Sequence, residues 1–399
     1  MDDERTPTVE EEPEPAAPPP AIDAAVGQAG ATADPAAGPV APGGAVPRSR
    51  AMVALWVVLG TLLVTTALAV TVGSLAHAPY IVYAPGSAIR TEPLIEVDDA
   101  DTFETDGSIL FLTVSLRGAS RRVGYAEALW GWISPHQDVF PRRAILGDQT
   151  GIENREEAAV EMNRSQEVAA AVALGHLGFE DTITGTGVTI QDTVVGSPAA
   201  EVLEAGDTIL AVDGVPTLLT DDLRAAIEPR LPGELVEVDV ERDGAERTVK
   251  VELTSDVEDP NRTLLGVTNV TTRDLRIDLP FDVVIATQDV GGPSAGLALA
   301  LGVLDRLTPG SLTGGHDVAV TGTIELDGRV GRVGGIQQKT VAAIDAGATL
   351  ILVPALEVAE AELKAGDDIE VVGVETLDDA LAALAAVGGN ALDLERPGG

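Results

Sequence analysis

The chain has 399 residues, 45% of them hydrophobic, and a formal net charge of -39. The length allows two or three domains with sizeable cores, and the acid excess excludes a nucleic-acid partner, since phosphate binding needs clustered Lys and Arg. With no cysteine and only four histidines (His77, His136, His176, His316), none at HExxH-like spacing, disulfides, thiolate chemistry and a metal site are not expected.

Residues 1–47 are rich in Pro, Ala, Gly and Glu and nearly free of large apolar side chains. Such a tail buries too little surface to offset its ordering entropy, so disorder is expected. Ala51 to Gly73 (AMVALWVVLGTLLVTTALAVTVG) then runs without a charge. As a helix it reaches roughly 34 Å, enough for a bilayer core of about 30 Å. A single transmembrane helix is therefore expected over 51–76. Arg48 and Arg50 precede the run and no Lys or Arg follows before Arg90, which places the tail in the cytoplasm and the rest outside. The rival reading is a cleaved signal peptide ending at Ala76-His77-Ala78; the length of the run, the long acidic tail and Pro79 after the cut argue against it.

Over 79–180, Ile109–Leu116 reads as a strand and 156–178 as a helix ending at a glycine, with His176 packing against or capping it. This region is given structure but no chemistry. Over 183–254, short β-branched strands alternate with Gly, Pro and Asp turns, and a helix over Asp221–Ile227 follows Thr220 as N-cap. The marks SPA (Ser197–Ala199), AGDTILAVDG (Ala205–Gly214) and PGE (Pro232–Glu234) resemble a PDZ domain of bacterial proteases. The resemblance implies peptide capture by strand addition, with a carboxylate loop at Thr186 and Gly187 leading into Val188, Thr189 and Ile190.

The stretch DVGGPSAGLALALGVLDR (Asp289–Arg306) sets Ser294 where an apolar helix begins, between glycines that let backbone and substrate approach. Ser294 is either an N-cap or a nucleophile beside free N–H groups, those of Ser294 and Ala295, able to hold an oxyanion. GxSxG also suits a nucleophile elbow, but that arrangement needs an acid and then a histidine downstream. The later histidine, His316, lies 22 residues on and precedes Asp317, so the triad fails. A lysine is the other activator. Of three lysines, Lys250 falls on a PDZ strand and Lys364 in a polar helix end, while Lys339 lies in an apolar helical stretch, VGGIQQKTVAAIDAG. Bringing an amine from about 10.4 to about 7.5 takes roughly 4 kcal/mol of differential solvation, which burial supplies.

GPSAG and VTGTIELDGRVGRVGGIQQK, which set Ser294 and Lys339 45 residues apart, together resemble the proteolytic domain of the Lon protease family, over 262–390. The resemblance implies a Ser-Lys dyad of Ser294 and Lys339, with Thr321 supporting the amine. Gly291 departs from the acidic residue that many members carry before GPSAG, and the chain has no GxxxxGK[ST] for an ATPase. The closer likeness is to the membrane-anchored, PDZ-containing Lon-like branch of bacteria. The expected architecture is thus multidomain: a transmembrane helix, a β-rich PDZ domain and an α/β (α+β) Lon-type proteolytic domain. The expected activity is ATP-independent serine endopeptidase action on unfolded extracytoplasmic polypeptides, without cofactor or metal. The family's usual rings imply a homo-oligomer. A PDZ scaffold with a silent dyad is the alternative.

Overall fold

The computed structural model describes residues 50–394 apart from 76, 99, 148, 180–181, 257–258, 261 and 288–289. The acidic tail over 1–47 and the pair Gln288–Asp289 lie outside the described residues. The uncharged run forms helix α1 (Arg50–Leu75), whose side chains are described without a break over 52–68, all exposed. Among the described residues no helix is long and apolar enough to cross a membrane. The expected span over 51–76 therefore stands on the sequence alone.

The chain continues through β1 (His77–Ala78), β2 (Tyr80–Arg90), β3 (Ser108–Arg117), β4 (Val123–Gly124), α2 (Tyr125–Ile133), β5 (Asp138–Pro141) and α3 (Gly151–His176). Helix α3 starts five residues ahead of the apolar periodicity because Thr150 and Glu153 form a capping box, with Glu153 N donating to Thr150 Oγ1 (3.2 Å) and Thr150 N to Glu153 Oε2 (2.7 Å). Next come β6 (Val188–Thr193), β7 (Thr208–Val212), α4 (Thr220–Ile227), β8 (Leu235–Arg242), β9 (Ala245–Glu252) and β10 (Val267–Thr272). The N-cap of α4 is Leu219 rather than Thr220, because Asp222 accepts the N–H groups of Leu218 and Leu219 and Thr220 N donates to Thr272 Oγ1. The last part holds α5 (Gly296–Leu307), β11 (Asp317–Val320), the hairpin β12 (Thr323–Ile324) and β13 (Val330–Gly331), α6 (Ile336–Asp345), β14 (Leu350–Pro354), α7 (Val358–Ala365), β15 (Glu370–Val374) and α8 (Leu377–Ala386).

Two sheets result. One, in order β9-β8-β7-β6-β10, is antiparallel and encloses its own core of Val188, Ile190, Val238, Val240 and their neighbours. The other runs β15-β14-β11-β3-β2-β5. Its strands β3, β11, β14 and β15 are parallel, and β2 is antiparallel to β3. Alternate residues of these strands serve opposite faces, as the pleat requires. Ile109, Phe111, Val318, Val320, Leu350 and Leu352 join one core with α3, α5 and α8. Leu110, Leu112, Ala319, Ile351 and Val353 join the other, with α6 and α7. A sheet covered on both faces reads as continuous apolar strands, as β14 does.

Where the sequence set 79–180 apart from a protease over 262–390, the sheet joins them: β3 pairs with β11, Ser108 to Asp317. The PDZ-like sheet interrupts this fold, and it extends beyond 254 to take in β10.

Candidate active site

Strand β11 ends at Val320, and Thr321 follows at the carboxyl end of the doubly covered sheet, where ligand sites of such sheets form. Helices from opposite faces meet there. Ser294 sits half-buried in the single turn Pro293–Ala295 ahead of α5, and Lys339 lies on α6. The Lys339 side chain is 1% exposed. Its Nζ donates to Thr321 Oγ1 (2.9 Å), and Thr321 Oγ1 donates to the carbonyl of Ser294 (3.2 Å). Thr321 has one proton and spends it on Ser294, so its oxygen must accept from the lysine. An amine fixed through one N–H keeps its lone pair, when neutral, for another direction.

Burial pushes the Lys339 amine down from 10.5 to about 7, opposed by the negative charge of Glu357. Glu357 is itself 4% exposed, and burial raises its carboxyl. Its Oε2 accepts from Val333 N (3.0 Å), which tethers the loop leading into α6. Of the other lysines, Lys250 pairs with Glu237 on the neighbouring strand and Lys364 donates to the Pro135 carbonyl. Among the described residues Ser294 Oγ has no hydrogen bond, so the lysine is linked to the serine through Thr321 and not directly. Catalytic contacts of this kind are often loose without substrate.

The turn carrying Ser294 is held from both ends. Gly322 N donates to the Ser294 carbonyl (3.1 Å) and Leu297 N to the Gly322 carbonyl (3.1 Å). Helix α3 holds the other side: Gly292 N donates to the Ala158 carbonyl (2.7 Å) and Ser165 Oγ to that of Pro293 (3.1 Å). The region that sequence reading left without chemistry is thus the brace of the serine turn. Its signal was Ser165, a polar residue on the apolar stripe of α3, buried at 6% exposure. The N–H groups of Ser294 and Ala295 lie in the first turn, where a helix supplies no acceptors of its own. A side chain at Gly291 would start 2.8 Å from Ala158 Cβ, which accounts for the missing acidic residue there. His316 is exposed ahead of β11, about 16 Å of strand from Thr321, so it serves no triad.

Residues 261–386 match the Lon protease (S16) C-terminal proteolytic domain. The chain carries a Lon-type proteolytic domain. This domain is a serine peptidase unit, of the hydrolase class. Over 112 residues the Lon-type domain is 38% identical to the Lon protease of Campylobacter concisus (strain 13826), covering 27% of this chain and 13% of that protein. Over 108 residues it is 35% identical to Lon protease 2 of Bacillus subtilis (strain 168), covering 27% and 18% respectively. The chain thus spans less than a fifth of the length of these relatives. Residues 159–253 match the PDZ domain. Among solved structures, the PDZ domain of the SdrC-like protein of Listeria monocytogenes is 25% identical, covering 21% of this chain and 86% of that one at a TM-score of 0.20.

The PDZ domain corrects one expectation. Thr186–Ile190 cannot take a peptide by strand addition, because β6 is paired on both sides, with β7 (Val188 to Ile209) and with β10 (Ile190 to Val270). Thr186 and Gly187 are also spent, donating to the carbonyls of Arg273 and Leu218. The edge strand on the β6 side is β10, and between it and α4 lies a cavity of about 180 Å³ lined by Leu223, Ile227, Leu264, Leu265, Val267 and Val270.

Arg224, on the same wall of α4, pairs with Glu325 and with Asp327 (2.8 Å) in the hairpin that follows Thr321. Arg329 binds Glu228 through two bonds, of 2.7 and 3.0 Å. Asp221, Glu325 and Asp327 bring ligand atoms within 4.8 Å of one another, and the Arg224 guanidinium pairs with all three. Burial, then Asp327, pushes the Asp221 carboxyl up to about 6.

Proposed function

We propose that the chain is an ATP-independent, membrane-anchored serine endopeptidase in which Ser294 is the nucleophile and Lys339 the base. The observation that carries the reading is a buried lysine amine, lowered to about 7, hydrogen-bonded to the threonine that holds the serine turn. Ser294 Oγ attacks the scissile carbonyl as neutral Lys339 takes its proton. The tetrahedral oxygen is held by the N–H groups of Ser294 and Ala295. The ammonium then gives the proton to the leaving amine, and water releases the acyl group by the same steps. A pKa near the working pH suits a group that must both take and give a proton.

Substrates are unfolded or flexible extracytoplasmic polypeptides, since the sequence holds no nucleotide-binding P-loop to drive unfolding. The groove between α4 and β10 takes an extended segment by adding it to β10, with its end near Leu264–Val267. The wall that would bear on the peptide is the one clamped to the hairpin after Thr321. The 51–76 run anchors the enzyme, with the tail cytoplasmic and the PDZ and Lon-type domains outside.

The test is casein cleavage without ATP by the full chain, from about pH 6 to about pH 10, a window spanning lowered and ordinary amines. Wild type is run beside Ser294→Ala and Lys339→Ala. Activity rising through neutral pH in wild type and lost in both variants is expected. Equal cleavage by all three sinks the mechanism, and no cleavage by any favours the PDZ scaffold reading.

A further inference from the structure

Helix α2 breaks the rule that a surface helix turns one apolar stripe inward and polar residues outward. Its sequence is YAEALWGWI, and it buries only Ala128 and Gly131. Tyr125, Leu129, Trp130, Trp132 and Ile133 are all exposed, Trp130 by 66% and Ile133 by 67%. At about 100° per residue these five fall within an arc of roughly 160° that carries no charge. The helix has one charged residue, Glu127, outside that arc and held by two bonds from Arg121. In a chain with 3 Trp, 3 Tyr and 5 Phe, exposing two tryptophans and a tyrosine on nine residues is costly unless something apolar covers them.

The place of α2 in the fold says what covers it. Strand β4, directly ahead of α2, pairs with β1, which begins two residues past Leu75, the last residue of α1. Trp132 meets Tyr80 of β2 edge-on, with ring centroids 5.2 Å apart. At the same place Arg121, Arg122, Arg142 and Arg155 line a cavity of about 1000 Å³, against Glu156 as its acid. Arg142 and Arg155 are oriented by the Ala119 carbonyl and Ser120 Oγ, and Arg122 is exposed. Four arginines in one place are notable in a chain of net charge -39. An apolar helix rich in Trp and Tyr beside clustered Arg matches the boundary layer of an anionic bilayer, where aromatic rings sit at headgroup depth and basic side chains meet phosphate.

We propose that α2 is a second membrane contact, lying in the surface of the bilayer that α1 enters, with the four arginines against anionic lipid headgroups. The inference rests on the anchoring reading above and adds a monotopic contact to it.

The chain's three tryptophans make the test direct. The full chain with Trp56→Phe emits from Trp130 and Trp132 alone, and the chain with Trp130→Phe and Trp132→Phe emits from Trp56 in α1. Each is reconstituted in phosphatidylcholine–phosphatidylglycerol vesicles with and without brominated acyl chains. The expected result is loss of emission from Trp130 and Trp132 in brominated vesicles, weaker when phosphatidylglycerol is left out. Unchanged emission from this pair overturns the proposal, and with Trp56 quenched in the sister variant it does so while anchoring stands. Quenching of the pair without quenching of Trp56 keeps the α2 contact and removes the anchor. A blue shift that follows protein concentration and ignores bromine assigns the face to a second copy, and the proposal falls.

Discussion

Replacing Lys339 with methionine should stabilise the protein while abolishing cleavage. Burial lowers the amine from 10.5 to about 7. Between those values the unfolded chain binds a proton that the folded chain has released, so stability rises with pH across this window. At about 1.36 kcal/mol per unit, keeping the buried lysine costs about 4 kcal/mol at pH 7 and about 2 kcal/mol at pH 9. Methionine has similar length and nothing to titrate, so the cost disappears. Thr321 loses a donor but still gives its own proton to Ser294. Urea unfolding of wild type and Lys339→Met at both pH values measures the difference. The variant should be more stable at neutral pH, with an advantage that shrinks by about 2 kcal/mol at pH 9. A difference independent of pH, or a variant less stable at neutral pH, would refute the account of the lysine.

Thr321→Val keeps shape and removes the hydroxyl, leaving the lysine amine without its acceptor at 2.9 Å. Losing one bond of a buried amine costs about 1–3 kcal/mol, so kcat on a fluorogenic peptide should fall about 5- to 150-fold with KM little changed, and a two-fold effect would remove Thr321 from the site. Gly296→Ala sets a methyl 2.9 Å from Ile324 N and from Ser165 Oγ. Overpacking there should cost about 1–3 kcal/mol in thermal or urea unfolding and lower activity, because α5 and the hairpin must part; a neutral effect would show that this contact yields freely.

What could be read in the sequence was local. Ser294 and Lys339 are legible because GPSAG and the apolar helix around Lys339 each carry their signal within a few residues, and α5 because an apolar run stops at Thr308-Pro309-Gly310. Strand β3 is likewise visible in its own residues. Its partner is not, since pairing across a domain inserted between β3 and β11 leaves no local trace. The same cause hid the brace that Ala158 and Ser165 give the serine turn. It also misplaced the peptide groove: the edge strand β10 lies past the stretch that resembles a PDZ domain, and β6 looks like an edge until both of its sides are seen to be paired. The exposed face of α2 was missed because apolar residues on a short helix read as core.

The pairing of β3 with β11 also sets a timetable for biosynthesis. Ser108 Oγ meets Asp317 Oδ1 at 2.8 Å across 209 residues of chain. At about 5–20 residues per second, β3 leaves the ribosome roughly 10–40 s before its partner. Meanwhile β6 to β10, all within Val188–Thr272, can close their own sheet. Serine and lysine are brought together only across β11, so no emerging chain that stops short of Lys339 holds both side chains of the proposed dyad. The proposed dyad is thereby incomplete during the interval when the nearest unfolded polypeptide is the emerging chain itself.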